Sequence, residues 1–173
     1  KQAADLFTSS SLSGKKVLIT LGGTIEAIDP VRYISNHSSG KMGMALAHEC
    51  IQAGAKTTLI IGSISIDIET RAEVIRIVSA EDMYKAVMHR IESQDLFISC
   101  AAVADFRPKN ISSNKIKKNN SSVTIKLIEN KDILASVCQL NKKPICIGFA
   151  AETENFIENA RAKLASKLCE AII

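Results

Sequence analysis

Short, unbroken apolar runs recur along the chain, each far enough from the next to leave room for one amphipathic helix. VLIT occupies 17–20, TTLII 57–61, VIRIV 74–78, LFISCA 96–101 and ICIGF 145–149. Runs of this kind, rather than strict alternation, mark strands buried on both faces. Strands that alternate with helices define an α/β domain: a Rossmann-like, doubly wound, mostly parallel sheet with helices on both faces. In such a sheet the ligand lies beyond the carboxyl ends of the strands. The loops that follow the strands are therefore where chemistry is sought.

The segments between the runs have helix signals. A helix beginning near Lys41 is closed by Gly54, and Met42, Met44, Ala45, Leu46, Ala47, Cys50 and Ile51 cover most of its surface, which predicts a well-buried helix. Ser79 and Asp82 form an approximate capping box for a helix with Met83, Ala86, Val87 and Ile91 inward,. Apolar and polar residues alternate at 123–128, which predicts a strand,. Asn130 is placed to cap a short helix reaching 140, and Thr153 a helix over 154–167; a last strand starts at 170,. Residues 1–12 read as a short helix and a Ser-rich link.

Three loops follow strands: 21–40, 102–122 and 150–153. The first belongs to GGTIEAIDPVRYISNHSSGKMG at 22–43. Its glycines permit close backbone approach, and Ser38, Ser39, Gly40 and Lys41 stand at a helix N-terminus,. Free N–H groups, two hydroxyls, a lysine and the helix dipole favour a phosphate there; a capping serine beside a solvated lysine is the plainer reading. A Walker A loop fails twice, at Ser35 and Met42,. The dinucleotide GxGxxG is absent after the first strand, and neither Tyr33 nor Tyr84 has a lysine four residues on,. These absences weigh against an NAD(P)-dependent oxidoreductase.

AAVADFRP at 101–108 offers small residues against which a planar ligand can lie, with Asp105 in reach of a ribose or base; a turn with Asp105 paired to Arg107 is the alternative. KIKK at 115–118 is a cationic loop able to close over a triphosphate, or a solvated charge run,. GFAAET at 148–153 precedes Lys163 and Lys167, one turn apart on a helix face,.

The length of 173 residues and 46% apolar content suit one domain,. A net charge of +4 suits small anions as well as nucleic acid, but aromatics at 4% with no Trp argue against a stacking platform for single strands,. No apolar run approaches the roughly 20 residues of a membrane span, and the first residues lack the apolar stretch of a signal peptide. Five cysteines without a CxxC pair read as buried free thiols of a cytoplasmic protein, and the three His are not spaced with them as zinc ligands,.

In order, DPVRYISNHSSGKMG, AAVADFRP, KIKK, ENKDIL and GFAAETEN resemble bacterial phosphopantothenate–cysteine ligase, the C-terminal half of a bifunctional coenzyme A enzyme. The likeness covers 14–173. It implies that residues 1–13 are the tail of a link to a decarboxylase half, that FMN belongs only to that absent half, and that the ligase domain continues past 173. It implies a Mg²⁺-dependent homodimer with a two-step reaction: the 4′-phosphopantothenate carboxylate attacks the α-phosphate of CTP, giving an acyl-cytidylate and pyrophosphate, and cysteine then displaces CMP. Asn36 is implied in turnover of the acyl-cytidylate and Lys115 in activation. Nucleotide contacts fall on Ser99, Cys100, Ala101, Asp105, Lys115, Lys131, Asp132, Ile133, Leu134, Phe149, Lys163 and Lys167. Arg32, matching the arginine ahead of the ISN motif, joins Asn36 and the Ser38, Ser39, Gly40, Lys41 group as the phosphopantothenate site, acting across the dimer interface. Lys131 and Gly23 stand where many relatives have Pro. Eukaryotic relatives favour ATP, and the residue types do not decide the base or name the metal ligands. A non-catalytic nucleotide-binding module is the remaining alternative.

Overall fold

The sheet is laid down by the apolar runs and ordered by which of them can hide both faces. The computed structural model describes residues 10–68, 70–118, 122–149 and 156–173, apart from the side chains of 156, 157, 159, 160 and 163. Among the described residues the strands are β1 (Lys16–Leu21), β2 (Ile25–Ala27), β3 (Tyr33–Ser35), β4 (Lys56–Ile61), β5 (Glu73–Arg76), β6 (Leu96–Ser99), β7 (Phe106–Pro108), β8 (Leu127–Glu129), β9 (Ile145–Gly148) and β10 (Ala171–Ile172). The helices are α1 (Lys41–Gln52), α2 (Ala80–Met88), α3 (Ile133–Cys138) and α4 (Phe156–Lys167). The expected helix at 1–12, apart from its end, and the Thr153 cap lie outside the described residues.

Six strands form one sheet in the order β10-β9-β6-β1-β4-β5, every neighbouring pair parallel. Counted by appearance in the chain, this is the 3-2-1-4-5-6 order of the dinucleotide-binding fold. β1 alternates its side chains between two cores. Val17, Ile19 and Leu21 join Met44, Ala47 and Cys50 of α1, whereas Leu18 joins Met83 and Val87 of α2 and Val137 of α3. Both faces of the sheet are thus covered, as its continuous apolar strands require.

Helix ends follow their local sequence. Gly54, at φ 89°, closes α1: its N–H donates to Ile51 O at 3.0 Å and that of Ala55 to Cys50 O at 3.0 Å, the paired bonds of a Schellman motif. The capping box of α2 is complete, with Asp82 N–H donating to Ser79 Oγ at 3.2 Å and Ser79 N–H to Asp82 Oδ2 at 3.0 Å. Ser79→Ala is expected to cost about 1 kcal/mol in a denaturant titration near neutral pH. The Ser79 N–H, first, and its hydroxyl hold the Asp82 carboxyl below its ordinary value. Its contribution is therefore full above the ordinary carboxylate range and is lost as pH falls through the depressed value, so Asp82→Asn should converge on the parent stability in acid.

Several expectations are corrected. α1 is amphipathic rather than well buried: Met42 is 59% exposed, Ala45 is also exposed, and Gly43, Met44, Ala47 and Cys50 face the sheet. The strand expected at 123–128 is reduced to β8, which pairs antiparallel with β7 outside the main sheet. Asp132, not Asn130, caps α3, its Oδ1 accepting from Ala135 N–H at 2.9 Å. Asn130 is engaged elsewhere, donating to Ala104 O at 2.8 Å and accepting from Arg107 at 2.7 Å. The 21–40 segment is a loop that carries the β2–β3 hairpin. All five cysteines are free, and burial pushes the thiols of Cys50, Cys100, Cys138 and Cys146 up. No helix among the described residues is long and apolar enough to cross a membrane.

Candidate functional site at the sheet's switch point

β4 and β6 flank β1 on opposite sides, so connections leave β1 and β6 in opposite directions and open a crevice at their carboxyl ends,. Gly22 ends β1 at φ 80°, and a Cβ there would lie 2.7 Å from Ser63 O. The chain beyond is stitched to both neighbours. Gly23 N–H donates to Ser63 O at 2.8 Å, Ala102 N–H to Gly22 O at 2.8 Å, and Thr24 N–H to Ala102 O at 3.3 Å. The buried Thr24 hydroxyl accepts from Ala104 N–H at 3.0 Å, and Ser35 Oγ donates to Thr24 O at 2.7 Å. Asn36 Nδ2 donates to Val103 O at 3.0 Å. The two loops expected to converge from β1 and β6 are thereby bonded together; residues 150–153 of the third lie outside the described residues.

Beside this seam lies a cleft of about 510 Å³, within the usual range for small-molecule sites. It brings together Ser99, Ala101, Asp105, Lys131, Asp132, Ile133, Leu134, Phe149 and Lys167 of the expected nucleotide contacts. Val103, Ala104, Phe106, Glu129 and Asn130 complete the wall; they stand inside the AAVADFRP and ENKDIL motifs, which is the signal that could have found them. Cys100 does not line the cleft. The two-residue period of a strand turns it with Ile98 toward the α1 core, so only its backbone is left for a ligand,. Lys115 is exposed on the loop between β7 and β8 and is not part of the cleft wall. The Lys163 side chain is outside the described part.

The charges around the cleft are partly paired. Lys167 Nζ lies 3.0 Å from Asp132 Oδ2, so one carboxylate both caps α3 and seats a cleft lysine. Lys131 is held toward α2, 3.4 Å from Glu81 and 4.3 Å above the Tyr84 ring. The Asp105–Arg107 turn pair is not formed: Arg107 Nη1 donates to Glu129 O at 2.9 Å and to Asn130 Oδ1 at 2.7 Å. Asp105 lines the cleft.

α1 opens beside the same seam. Its N-cap is Gly40 at φ 79° with no capping side chain, so Ser38 and Ser39 are not the caps. Ser39 Oγ accepts only a long 3.4 Å bond from Lys41 N–H. A Cβ built on Gly23 would lie 3.9 Å from Ser38 Cβ, which puts the helix N-terminus next to the turn after β1. Arg32 stands in the β2–β3 turn, paired with the buried Asp29 and donating to Ile116 O at 2.8 Å. Asp29 heads the DPVRYISNHSSGKMG motif, but the sequence reading gave it no role. The Arg32 guanidinium, first, and the N–H groups of Ile116, Val31 and Arg32 hold its carboxyl far below the usual carboxylate range, against the opposing effect of burial.

A parallel sheet in this order, with a nucleotide-sized cleft and an uncapped helix N-terminus at its switch point, defines a Rossmann-like ligand-binding domain. Residues 12–173 match the family described as DNA/pantothenate metabolism flavoprotein C-terminal domain, and the chain belongs to that family. It is 53% identical over 164 residues to the coenzyme A biosynthesis bifunctional protein CoaBC of Vibrio parahaemolyticus, covering 93% of this chain and 41% of that protein. With the Bacillus subtilis protein of the same name it shares 46% over 167 residues, 96% of this chain and 41% of the relative. The chain thus spans about two fifths of the length of these relatives. Among solved structures, the C-terminal domain of CoaBC superposes with a TM-score of 0.83 at 39% identity, over 95% of this chain and 78% of that one. A mutant Cab2 in complex with phosphopantothenate-cysteine has the same fold, at a TM-score of 0.78 and 16% identity over 99% and 77% of the two chains.

Proposed function

We propose that this chain is a phosphopantothenate–cysteine ligase domain of coenzyme A biosynthesis that activates the 4′-phosphopantothenate carboxylate with CTP. The observation that carries this reading is the Asn36–Val103 hydrogen bond, because it seats the loop leading to α1 against the wall of the cleft. A substrate with its phosphate on the α1 N-terminus and its carboxylate near the cleft passes Asn36. The nucleotide then occupies the cleft, with its base and ribose near Ser99, Ala101, Asp105, the 131–134 segment and Phe149, and its phosphates toward Lys167, Lys163 and Lys115.

The chemistry asks for positioning and charge neutralisation, which lysines supply, rather than a covalent protein nucleophile. A carboxylate oxygen bonds to the α-phosphorus as the bond to pyrophosphate breaks. The cysteine amine then attacks the acyl carbon and CMP leaves. The Asn36 amide is a suitable donor to the tetrahedral oxyanion of that second step. No group of three or more His, Cys, Asp or Glu among the described residues is arranged to hold a metal. A Mg²⁺ ion would have to be carried mainly by the triphosphate; Asp105 and Glu129, which line the cleft, are the carboxylates that would help to hold it, and it would supply further charge neutralisation,.

Exposed Val31 and Tyr33 on the β2–β3 turn and hairpin, with Phe106 and Leu127 on the β7–β8 ribbon, support a homodimer through this domain,. Sedimentation at micromolar concentration tests it. The free, buried thiols fit a cytoplasmic enzyme.

The decisive assay is pyrophosphate release from CTP with 4′-phosphopantothenate, with and without cysteine, in the full-length polypeptide. Release that needs phosphopantothenate, with CMP appearing only once cysteine is added, is the expected result. Release with ATP alone changes the nucleotide. Release with neither, from folded protein, sinks the ligase reading in favour of a binding module. Lys167→Ala should raise the KM for CTP about tenfold or more, the loss of a charge-assisted contact.

A further inference from the structure

We infer that Asp29 and Arg32 form a clamp on the backbone of Ile116 that fixes the start of the lysine-bearing loop, making Asp29 a positioning residue for Lys115. The clamp is read from hydrogen bonds alone; only the role of Lys115 rests on the ligase reading.

The two oxygens of Asp29 do different jobs. Oδ1 closes the hairpin turn, accepting from Val31 N–H at 2.9 Å and Arg32 N–H at 2.8 Å. Oδ2 faces the neighbouring loop. It accepts from Arg32 Nε at 3.0 Å, from Arg32 Nη2, and from Ile116 N–H at 3.1 Å. Arg32 Nη2 in turn donates to Ile116 O at 2.8 Å. Both backbone polar groups of one residue, 87 residues from Asp29 in the chain, are therefore held by a single ion pair. The Asp29 side chain is fully buried while that of Arg32 is half exposed. A carboxylate at that depth, satisfied by a guanidinium fork and three backbone donors, is costly to release.

A second stitch lies four residues earlier. Ser112 N–H donates to Ile28 O at 3.0 Å, and Ser112 Oγ donates to Asn114 O at 2.6 Å. The segment from Ser112 to Ile116 is thus pinned at both ends to the hairpin, and Lys115, adjacent to the clamped peptide, projects from it exposed. A turn needs only Oδ1. Oδ2 and the Arg32 fork are spent on the loop, which a purely local role for Asp29 leaves unexplained.

The division of labour gives a selective variant. Asp29→Asn keeps Oδ1 for the turn but replaces Oδ2 with a donor, which cannot accept from Ile116 N–H or pair with Arg32. In the full-length protein, tryptic cleavage after Lys115, Lys117 and Lys118 should quicken about tenfold relative to cleavage elsewhere in the chain, as local opening becomes easier. In single-turnover pyrophosphate release without cysteine, the rate constant should fall about a hundredfold from the misplaced lysine, with the amplitude, which counts folded molecules, unchanged. Asp29→Ala, which also loses the turn, should reproduce both effects. Unchanged cleavage in Asp29→Asn overturns the clamp. Faster cleavage with an unchanged rate constant overturns the positioning role, and so does a loss of amplitude alone. A parent protein that releases no pyrophosphate removes the ligase reading, and the clamp is then judged by the cleavage rates.

Discussion

On the proposed ligase reading, Asn36→Ala is expected to leave the domain folded and to slow cysteine-dependent release of CMP by about 10²- to 10³-fold, equivalent to about 2.7–4 kcal/mol of barrier. Asn36 is exposed, and the bond it gives to Val103 O is made by a side chain at the surface of the seam, so its removal opens no core. The first turnover should still release pyrophosphate, because that reading assigns the nucleotide to the cleft side of the bond. An acyl-nucleotide should consequently accumulate when cysteine is supplied, and quenched-flow analysis would detect it. Equal slowing of both steps would instead make Asn36 a substrate-positioning group, and the oxyanion role would be lost.

The second large effect concerns the scaffold. Phe97→Ala should lower unfolding stability by about 3–5 kcal/mol. Phe97 is fully buried in β6, within the core that also holds Leu18, Met83, Val87 and Ile91. Its loss leaves a void between the sheet and α2 that packed neighbours fill only in part. The urea midpoint should fall while turnover per folded molecule is retained, since Ser99, at the end of the same strand, keeps its register with β1 and β9. A cost below about 1 kcal/mol would show that this core collapses freely, contrary to the packing described. The two variants thus separate chemistry from stability in opposite directions.

The main sheet was legible because strands buried on both faces must be continuously apolar, and VLIT, TTLII and ICI say so in their residues. The three-residue strands β2, β3 and β7 were not, because pieces so short carry no apolar run of their own: β2 and β3 pair across a local turn, and β7 pairs with β8, of which the strand expected at 123–128 caught the first two residues. The cap of α3 shows the same limit. ENKDIL offers two eligible residues, and the choice falls to Asp132 because Arg107 and Ala104 take the side chain of Asn130. For the cleft, composition gave only a class of ligand, whereas the ordered motifs named most of the wall. The Cys100 side chain packs toward α1, which leaves its backbone for the expected contact. Asp29 was invisible because nothing local distinguishes a turn aspartate from one whose second oxygen serves a loop 87 residues away.

The position of β1 also sets an order of events. β1 joins residues near 17 to partners near 57 and 96, and the walls of the cleft extend from Ser99 to Lys167. Pairings so distant in the chain are closed slowly, after local structure has formed. A growing polypeptide therefore has no cleft until Lys167 has left the ribosome, and no partly folded intermediate lacking the later strands can be rescued by nucleotide. Ligand added during refolding should leave the folding rate unchanged and act as a brake on unfolding.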